Sequence, residues 1–284
     1  AVRPLAGRGG PRQRPVTLPG DLAPSRLRAE HLDDPIGIDV RRPRLSWWLP
    51  EGVSGQEAYQ VRIDGREQDR VETGEHVLVP WPTDALRSGQ RATWAVRTWN
   101  DGTPTGWSAP AVIEAGLLDP ADWSATWIEP DEGNEPGEAG RRPAPVLRHE
   151  FVLDRPVEQA RLYATAHGVY EAFLGGNRVG DQELTPGTTS YPNRLQVQTH
   201  DVTALLHEGD NQVQVVLSDG WWRGQTGNGR DHDCYGPTLA FLGQLHVDHP
   251  DGSRTIVVTD RSWTWATAPI RGADLMAGQT VDLR

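Results

Sequence analysis

The segment Thr93-Trp94-Ala95-Val96-Arg97-Thr98-Trp99 alternates between two sets of side chains, as a β-strand with two different faces does. Alternate residues from Trp94 share one face, and those from Thr93 share the other. Asn100-Asp101-Gly102 then provides turn residues. Similar runs recur at intervals of about 8–12 residues, a spacing typical of all-β sandwiches, whereas helical periodicity is scarce. We therefore predict an all-β protein with helix below about 10%.

The chain has 284 residues, enough for about two domains. We predict an immunoglobulin-like or fibronectin-III-like sandwich over residues 21–119 and a jelly-roll, carbohydrate-binding-like sandwich over residues 120–284. The boundary is placed near Leu118-Asp119-Pro120, because proline disfavours helix at the preceding residue and often marks a linker. Residues 1–20 are rich in Arg, Pro and Gly and have no apolar signal-peptide core, so we expect a disordered lead-in. Residues 131–145 are predicted to form a surface loop.

Charge and composition exclude several classes of partner. The net charge is −11, which argues against binding nucleic acid or an anionic membrane surface. No apolar run approaches the roughly 20 residues of a membrane span. The single cysteine, Cys234, cannot form an intrachain disulfide, so disulfides give no indication of the cellular compartment.

Common catalytic motifs are absent from the sequence. There is no phosphate-binding glycine loop, no His-Glu-x-x-His metal helix and no Gly-x-Ser-x-Gly nucleophile turn. The nine histidines are scattered, which argues against a zinc site. A glycosidase needs two carboxyl groups placed around the scissile bond, but 39 acidic residues give no way to recognise such a pair from sequence.

Residues 219–233 form the densest polar cluster, with four glycines among aromatic and charged residues. The glycines indicate a loop with unusual backbone freedom. Asn228, Asp231 and Asp233 offer the hard oxygen ligands that calcium prefers, although the spacing is not that of an EF-hand. Trp221 and Trp222 are expected on opposite faces if the preceding strand continues, one buried and one exposed. The alternative is a plain glycine-rich connection with one buried tryptophan.

Several ordered motifs resemble the N-terminal part of bacterial α-L-rhamnosidases of glycoside hydrolase family 78. Asp122-Trp123-Ser124-Ala125-Thr126-Trp127 and Ser218-Asp219-Gly220-Trp221-Trp222-Arg223-Gly224 resemble the family's sugar-binding-like domain, as do residues 160–171, 178–191 and 198–206 between them. Residues 32–39, 43–47, 56–61 and 106–108 are similar to the fibronectin-III-like domain that precedes it. The resemblance covers residues 26–284. One departure is Gly175-Gly176, where family members usually carry Asn-Gly.

The resemblance implies a function for the parent protein, the inverting hydrolysis of terminal α-L-rhamnosides. In the family, the catalytic acids lie in an (α/α)6 barrel that follows these domains. We therefore assign no catalytic residue and expect this chain to be inactive alone, with rhamnose-containing glycosides and the missing barrel of the same polypeptide as its partners. Two alternatives remain: a stand-alone lectin-like carbohydrate-binding module, and a hydrolase with its site inside a sandwich.

The resemblance also implies a calcium-assisted sugar site in the second domain. The ion would hold sugar hydroxyls, and a tryptophan would stack on the apolar face of the ring. The expected sugar-binding residues are Trp221, Trp222 and Asn228, and the expected metal ligands are Asp181, Gln182, Asn228, Asp231 and Asp233. Gln182 departs from the shorter asparagine expected there.

Overall fold

The computed structural model describes residues 22–133 and 137–283. Strands account for 43% of the structure and helices for 4%, which confirms the all-β prediction. The predicted lead-in, residues 1–20, lies outside the described residues. None of the described helices is long and apolar enough to cross a membrane.

The described chain separates into two compact units. One contains the residues up to Pro35, together with Arg42–Ala85 and Arg91–Ile113, and the other contains Ile36–Arg41, Leu86–Gln90 and everything from Glu114 onward. The predicted division at Asp119 is not tested by this and stays a prediction.

Nine strands lie between residue 22, where the described structure begins, and Pro120. They are β1 (Ser25–Ala29), β2 (Ile36–Ile38), β3 (Leu45–Trp48), β4 (Ala58–Ile63), β5 (Arg66–Glu67), β6 (Val71–Glu72), β7 (Arg91–Asn100), β8 (Thr103–Pro104) and β9 (Ala111–Ala115). β1 pairs with β3, and the larger sheet has the order β2-β9-β7-β4-β5, with β6 on β4 and β8 on β7. The predicted faces of β7 are confirmed: Trp94 and Val96 are buried in the core, and Arg97 and Trp99 share the other face.

Guanidinium groups cover the outward-facing tryptophans of the first unit. Arg70 stacks over Trp99 at 4.5 Å, and Arg97 lies over both Trp99 at 5.1 Å and Trp107 at 4.7 Å. Arg62 lies over Trp107 at 4.6 Å. Planar guanidinium groups stack well on indole rings. This ladder of alternating Arg and Trp leaves Trp99 only 8% exposed.

The remaining strands belong to the second unit. They are β10 (Pro145–Leu153), β11 (Gln159–His167), β12 (Val169–Leu174), β13 (Asn177–Arg178), β14 (Gln198–Asp201), β15 (Gly209–Ser218), β16 (Ala240–Asp248), β17 (Arg254–Val258), β18 (Thr264–Thr267), β19 (Ile270–Asp274) and β20 (Gly278–Val281). Two 3-10 turns cover Pro120–Asp122 and Thr203–Leu205, and α1 covers Gly220–Arg223.

Two antiparallel sheets enclose the core of the second unit. One has the order β13-β12-β15-β10-β18 and the other β14-β11-β16-β17, while β19 and β20 form a separate hairpin. Leu147 and Val215 from the first sheet pack with Leu162 and Phe241 from the second, as a β-sandwich requires.

Strand β11 is buried on both of its faces. Leu162 and its alternate neighbours enter the core, while Arg161 and Tyr163 on the opposite face are covered as well. Arg161 donates two hydrogen bonds to the buried Glu114 carboxylate, at 2.6 and 2.9 Å. Burial raises the pKa of Tyr163 to about 12. Packing on both faces therefore fixes the position of β11 and of His167, its last residue.

Candidate functional site

The glycine-rich segment, which we define as residues 219–235, begins with one turn of helix and not with a continuing strand. β15 ends at Ser218, and α1 covers Gly220–Arg223. Gly220 has φ +54°, and a Cβ there would lie 2.7 Å from Val169 Cγ1, so only glycine fits. The expected strand-like alternation of Trp221 and Trp222 is therefore wrong, and both side chains are half-buried.

Arg223 is a fully buried cation at the end of α1. Its Nε donates to Asp219 Oδ1 at 2.6 Å, and its two Nη atoms donate to the Glu132 carboxylate at 2.5 and 3.0 Å. Nη1 also donates to the Pro237 carbonyl oxygen at 3.0 Å. Burial raises the pKa of Asp219, and its Oδ2 is buried without a hydrogen-bond partner in the described structure. Arg223 thus fixes the start of the segment to two other parts of the chain.

Arg142 fixes the other end of the segment. It donates to both carboxylate oxygens of Asp233, at 2.7 and 2.9 Å, and these bonds lower the pKa of Asp233. His232 Nδ1 lies 2.7 Å from Asp233 Oδ2. Arg142 and His232 thus contact both carboxylate oxygens of Asp233 and hold this side chain in place.

A cluster of five aromatic rings lies beside this segment. His167 is stacked between Trp127, at 4.3 Å between ring centroids, and Trp222, at 3.9 Å. The Trp222 and His167 rings are within 2° of parallel. Tyr191 meets the edge of Trp222 at 5.3 Å and contacts Tyr235 at 4.7 Å. We call these five residues the aromatic cluster.

Trp222 packs within the aromatic cluster, and its predicted role in stacking on a sugar stays a prediction. One face of its ring lies on His167, and its Nε1 donates to the Thr238 carbonyl oxygen at 3.0 Å. A Cβ on Gly236 would come within 3.1 Å of the indole, so the backbone lies close against it. The rings that face solvent are Tyr235, which is 45% exposed, and Trp127, which is 38% exposed.

The other predicted ligands are exposed. Asn228 and Asp231 lie on a turn closed by the Thr226 N–H, which donates to the Asp231 carbonyl oxygen at 2.8 Å. Asp181 and Gln182 follow β13. Burial lowers the pKa of the nearby His200, and the charge of Asp181 opposes this shift. Residues 22–133 and 137–283 contain no group of three His, Cys, Asp or Glu side chains that could hold a metal ion. Asn, Gln and backbone oxygens, which calcium also accepts, are not counted in such a group, so the five predicted calcium ligands stay a prediction.

Comparisons with known proteins show which protein families the two parts of the chain match. The model of the "Rha78A-like, N-terminal immunoglobulin domain" matches residues 24–119, and that of the "Alpha-L-rhamnosidase N-terminal domain" matches residues 155–284. The chain belongs to the N-terminal domain families of the α-L-rhamnosidases. These rhamnosidase domains are 33% identical over 275 residues to an α-L-rhamnosidase of Formosa agariphila, and 27% identical to one of Streptomyces avermitilis. The alignments cover 89% and 90% of this chain but only 30% and 42% of those relatives.

Solved structures agree with the sequence relatives. The native α-L-rhamnosidase of Aspergillus terreus is 37% identical, with a TM-score of 0.85 over 91% of this chain and 31% of that protein. The Streptomyces avermitilis α-L-rhamnosidase complexed with L-rhamnose is 25% identical, with a TM-score of 0.84 over 92% of this chain and 42% of that protein. The rhamnosidase domains here thus span about a third to two fifths of these relatives.

Proposed function

We propose that this chain is the N-terminal, non-catalytic part of an α-L-rhamnosidase and that its second unit binds L-rhamnose at the aromatic cluster. The parent protein would hydrolyse terminal α-L-rhamnosides in a barrel that is not among the described residues. The observation that carries the sugar-binding proposal is the exposed ring of Tyr235, held beside Tyr191 and Trp222 on the segment that also bears Asn228.

The side chains at the aromatic cluster and on the glycine-rich segment suit a deoxy sugar. L-Rhamnose has an apolar face with a methyl group, and an exposed aromatic ring offers a flat surface for it. The Asn228 amide donates and accepts hydrogen bonds, and the Asp231 carboxylate accepts them, as hydroxyl groups require. Arg223 and Arg142 fix both ends of the segment, which lowers the conformational entropy lost on binding.

Isothermal titration calorimetry of the full chain with L-rhamnose tests the proposal. We expect saturable binding, and we expect Tyr235→Ala and Asn228→Ala each to weaken it about tenfold, or about 1.4 kcal/mol. Trp265→Ala is the matched control, because Trp265 is a 39% exposed aromatic residue on the edge strand β18 and should leave binding unchanged. Absence of binding, or equal binding by Tyr235→Ala, would contradict the proposal.

Calcium is a separate proposal with its own arm of the titration. Asp181, Gln182, Asn228 and Asp231 remain exposed oxygen donors, whereas Asp233 is committed to Arg142. The titration is repeated with calcium, with chelator, and on Asp181→Ala. Binding that requires calcium and is lost in Asp181→Ala would support a metal contribution. Equal binding in all conditions would remove calcium and leave the sugar site intact.

A further inference from the structure

His167 joins three segments that are far apart in the sequence. It ends β11, while Trp127 precedes β10 and Trp222 lies in α1. The centroid distances of 4.3 and 3.9 Å place the imidazole between the two indole rings. Trp222 in turn contacts Tyr191 and lies 6.1 Å from Tyr235. These contacts connect His167 to the solvent-facing ring of Tyr235.

Stacking alone holds the His167 ring. Neither ring nitrogen makes a hydrogen bond to the described residues, and the side chain is partly exposed, so a proton can reach it. Burial lowers the pKa of His167, and no charged neighbour contributes to that shift. On the elements that pack against it, Asp219 is paired with Arg223, and Glu129 is exposed. Tyr191 and Tyr235 are the other titratable residues of the aromatic cluster, and they contact Trp222 and each other.

We propose that His167 is the positioning residue of the sugar site and that its protonation releases the stack and weakens sugar binding. The neutral ring keeps Trp222 in place, which keeps Tyr235 oriented towards the sugar. This inference rests on the proposed function, since the affinity that His167 controls is the affinity for L-rhamnose.

Two opposing effects act on a protonated His167 ring. An imidazolium between two indoles gains a cation–π attraction, but it also loses hydration. Burial lowers the pKa of His167, and no carboxylate contributes an opposing shift, so we infer that the loss of hydration is the larger effect. The stack is therefore fully stable above the ordinary histidine pKa of about 6.5 and weakens as pH falls through the lowered value.

Calorimetry with L-rhamnose between about pH 4.5 and 8 tests the inference on three forms of the full chain. We expect the unmodified chain to lose affinity at least fivefold below the lowered pKa of His167. His167→Ala, which removes the ring, should bind at least fivefold more weakly at neutral pH. His167→Phe keeps a flat ring that cannot titrate. It should restore most of the affinity that His167→Ala loses and remove the acid-induced decrease.

Tryptophan fluorescence supplies a readout that does not depend on sugar. We expect a one-proton transition below pH 6.5 in the unmodified chain that is absent in His167→Phe. His207→Phe is the control for the other histidines, because His207 is exposed and should keep the transition. A transition that persists in His167→Phe, or affinity that rises at acid pH, would overturn the inference. Absence of L-rhamnose binding at every pH would instead overturn the proposed function, and the fluorescence would still decide whether His167 titrates within the stack.

Discussion

Arg223 shows how one buried side chain can organise a functional segment. The sequence places it in a polar cluster that suggests a surface loop, yet the guanidinium is fully buried and all its strong contacts are internal. A buried charge is tolerated only where charged and polar partners surround it. Asp219, Glu132 and the Pro237 carbonyl supply these partners, so the segment has a fixed start.

Replacing Arg223 should therefore be costly. Arg223→Met leaves Asp219 and Glu132 without their cation, and we expect the free energy of unfolding to fall by about 3–5 kcal/mol. Arg148→Met is the control, because the Arg148–Glu150 pair is solvent-exposed and should contribute less than about 1 kcal/mol. Urea denaturation followed by circular dichroism measures both. Similar losses for the two variants would contradict a special role for burial at Arg223.

Only part of the site could be predicted from the sequence. Asn228 and Asp231 are exposed on a loop, as their polarity and the surrounding glycines indicate. Tyr235 and Trp127 were missed as site residues, because their exposure depends on which rings cover each other across segments far apart in sequence. Tyr191 lies in a motif that resembles the rhamnosidase family, but that motif gives no indication of its contact with Trp222. Arg142 lies in the predicted surface loop, and its bonds to Asp233 could not be predicted because the two residues are far apart in sequence.

Strands were predictable where side chains alternate, and the exceptions have a physical cause. Val169–Leu174 and Ala58–Ile63 form strands, and one face of each shows the apolar alternation that predicts a strand. α1 was missed because its start depends on the close approach of Gly220 to Val169, a tertiary contact. The hairpin of β19 and β20 was missed because its side chains are mostly exposed or polar and show no apolar alternation.

Strand β7 gives a direct test of the ladder of Arg and Trp. Arg97→Met keeps most of the side-chain length but removes the cation above Trp99 and Trp107. We expect the first unit to lose about 1–2 kcal/mol of stability, since each exposed cation–π contact contributes about 0.5–1 kcal/mol. Arg91→Met is the control on the same strand, because Arg91 is exposed and lies over no ring in the described structure. An equally stable Arg97→Met protein in thermal denaturation would show that the ladder does not stabilise the unit.

The proposed non-catalytic role concerns both units of the chain. They match N-terminal domains of longer proteins, of which the alignments cover 30% and 42%, and the described residues form sheets and no helical barrel. We therefore expect the purified chain to release no product from an aryl α-L-rhamnoside. The full-length relative from Streptomyces avermitilis is the positive control. Turnover that survives a second purification step would contradict the assignment and favour a site within the sandwich.

The central claim is that the second unit of this chain binds L-rhamnose at the aromatic cluster. A crystal structure of the chain grown with L-rhamnose tests it most directly. The account predicts a sugar ring against Tyr235, with its hydroxyl groups within hydrogen-bond distance of Asn228, and His167 still stacked between Trp127 and Trp222. The claim would be contradicted if the aromatic cluster stayed empty at a saturating sugar concentration, or if the sugar bound elsewhere on the chain.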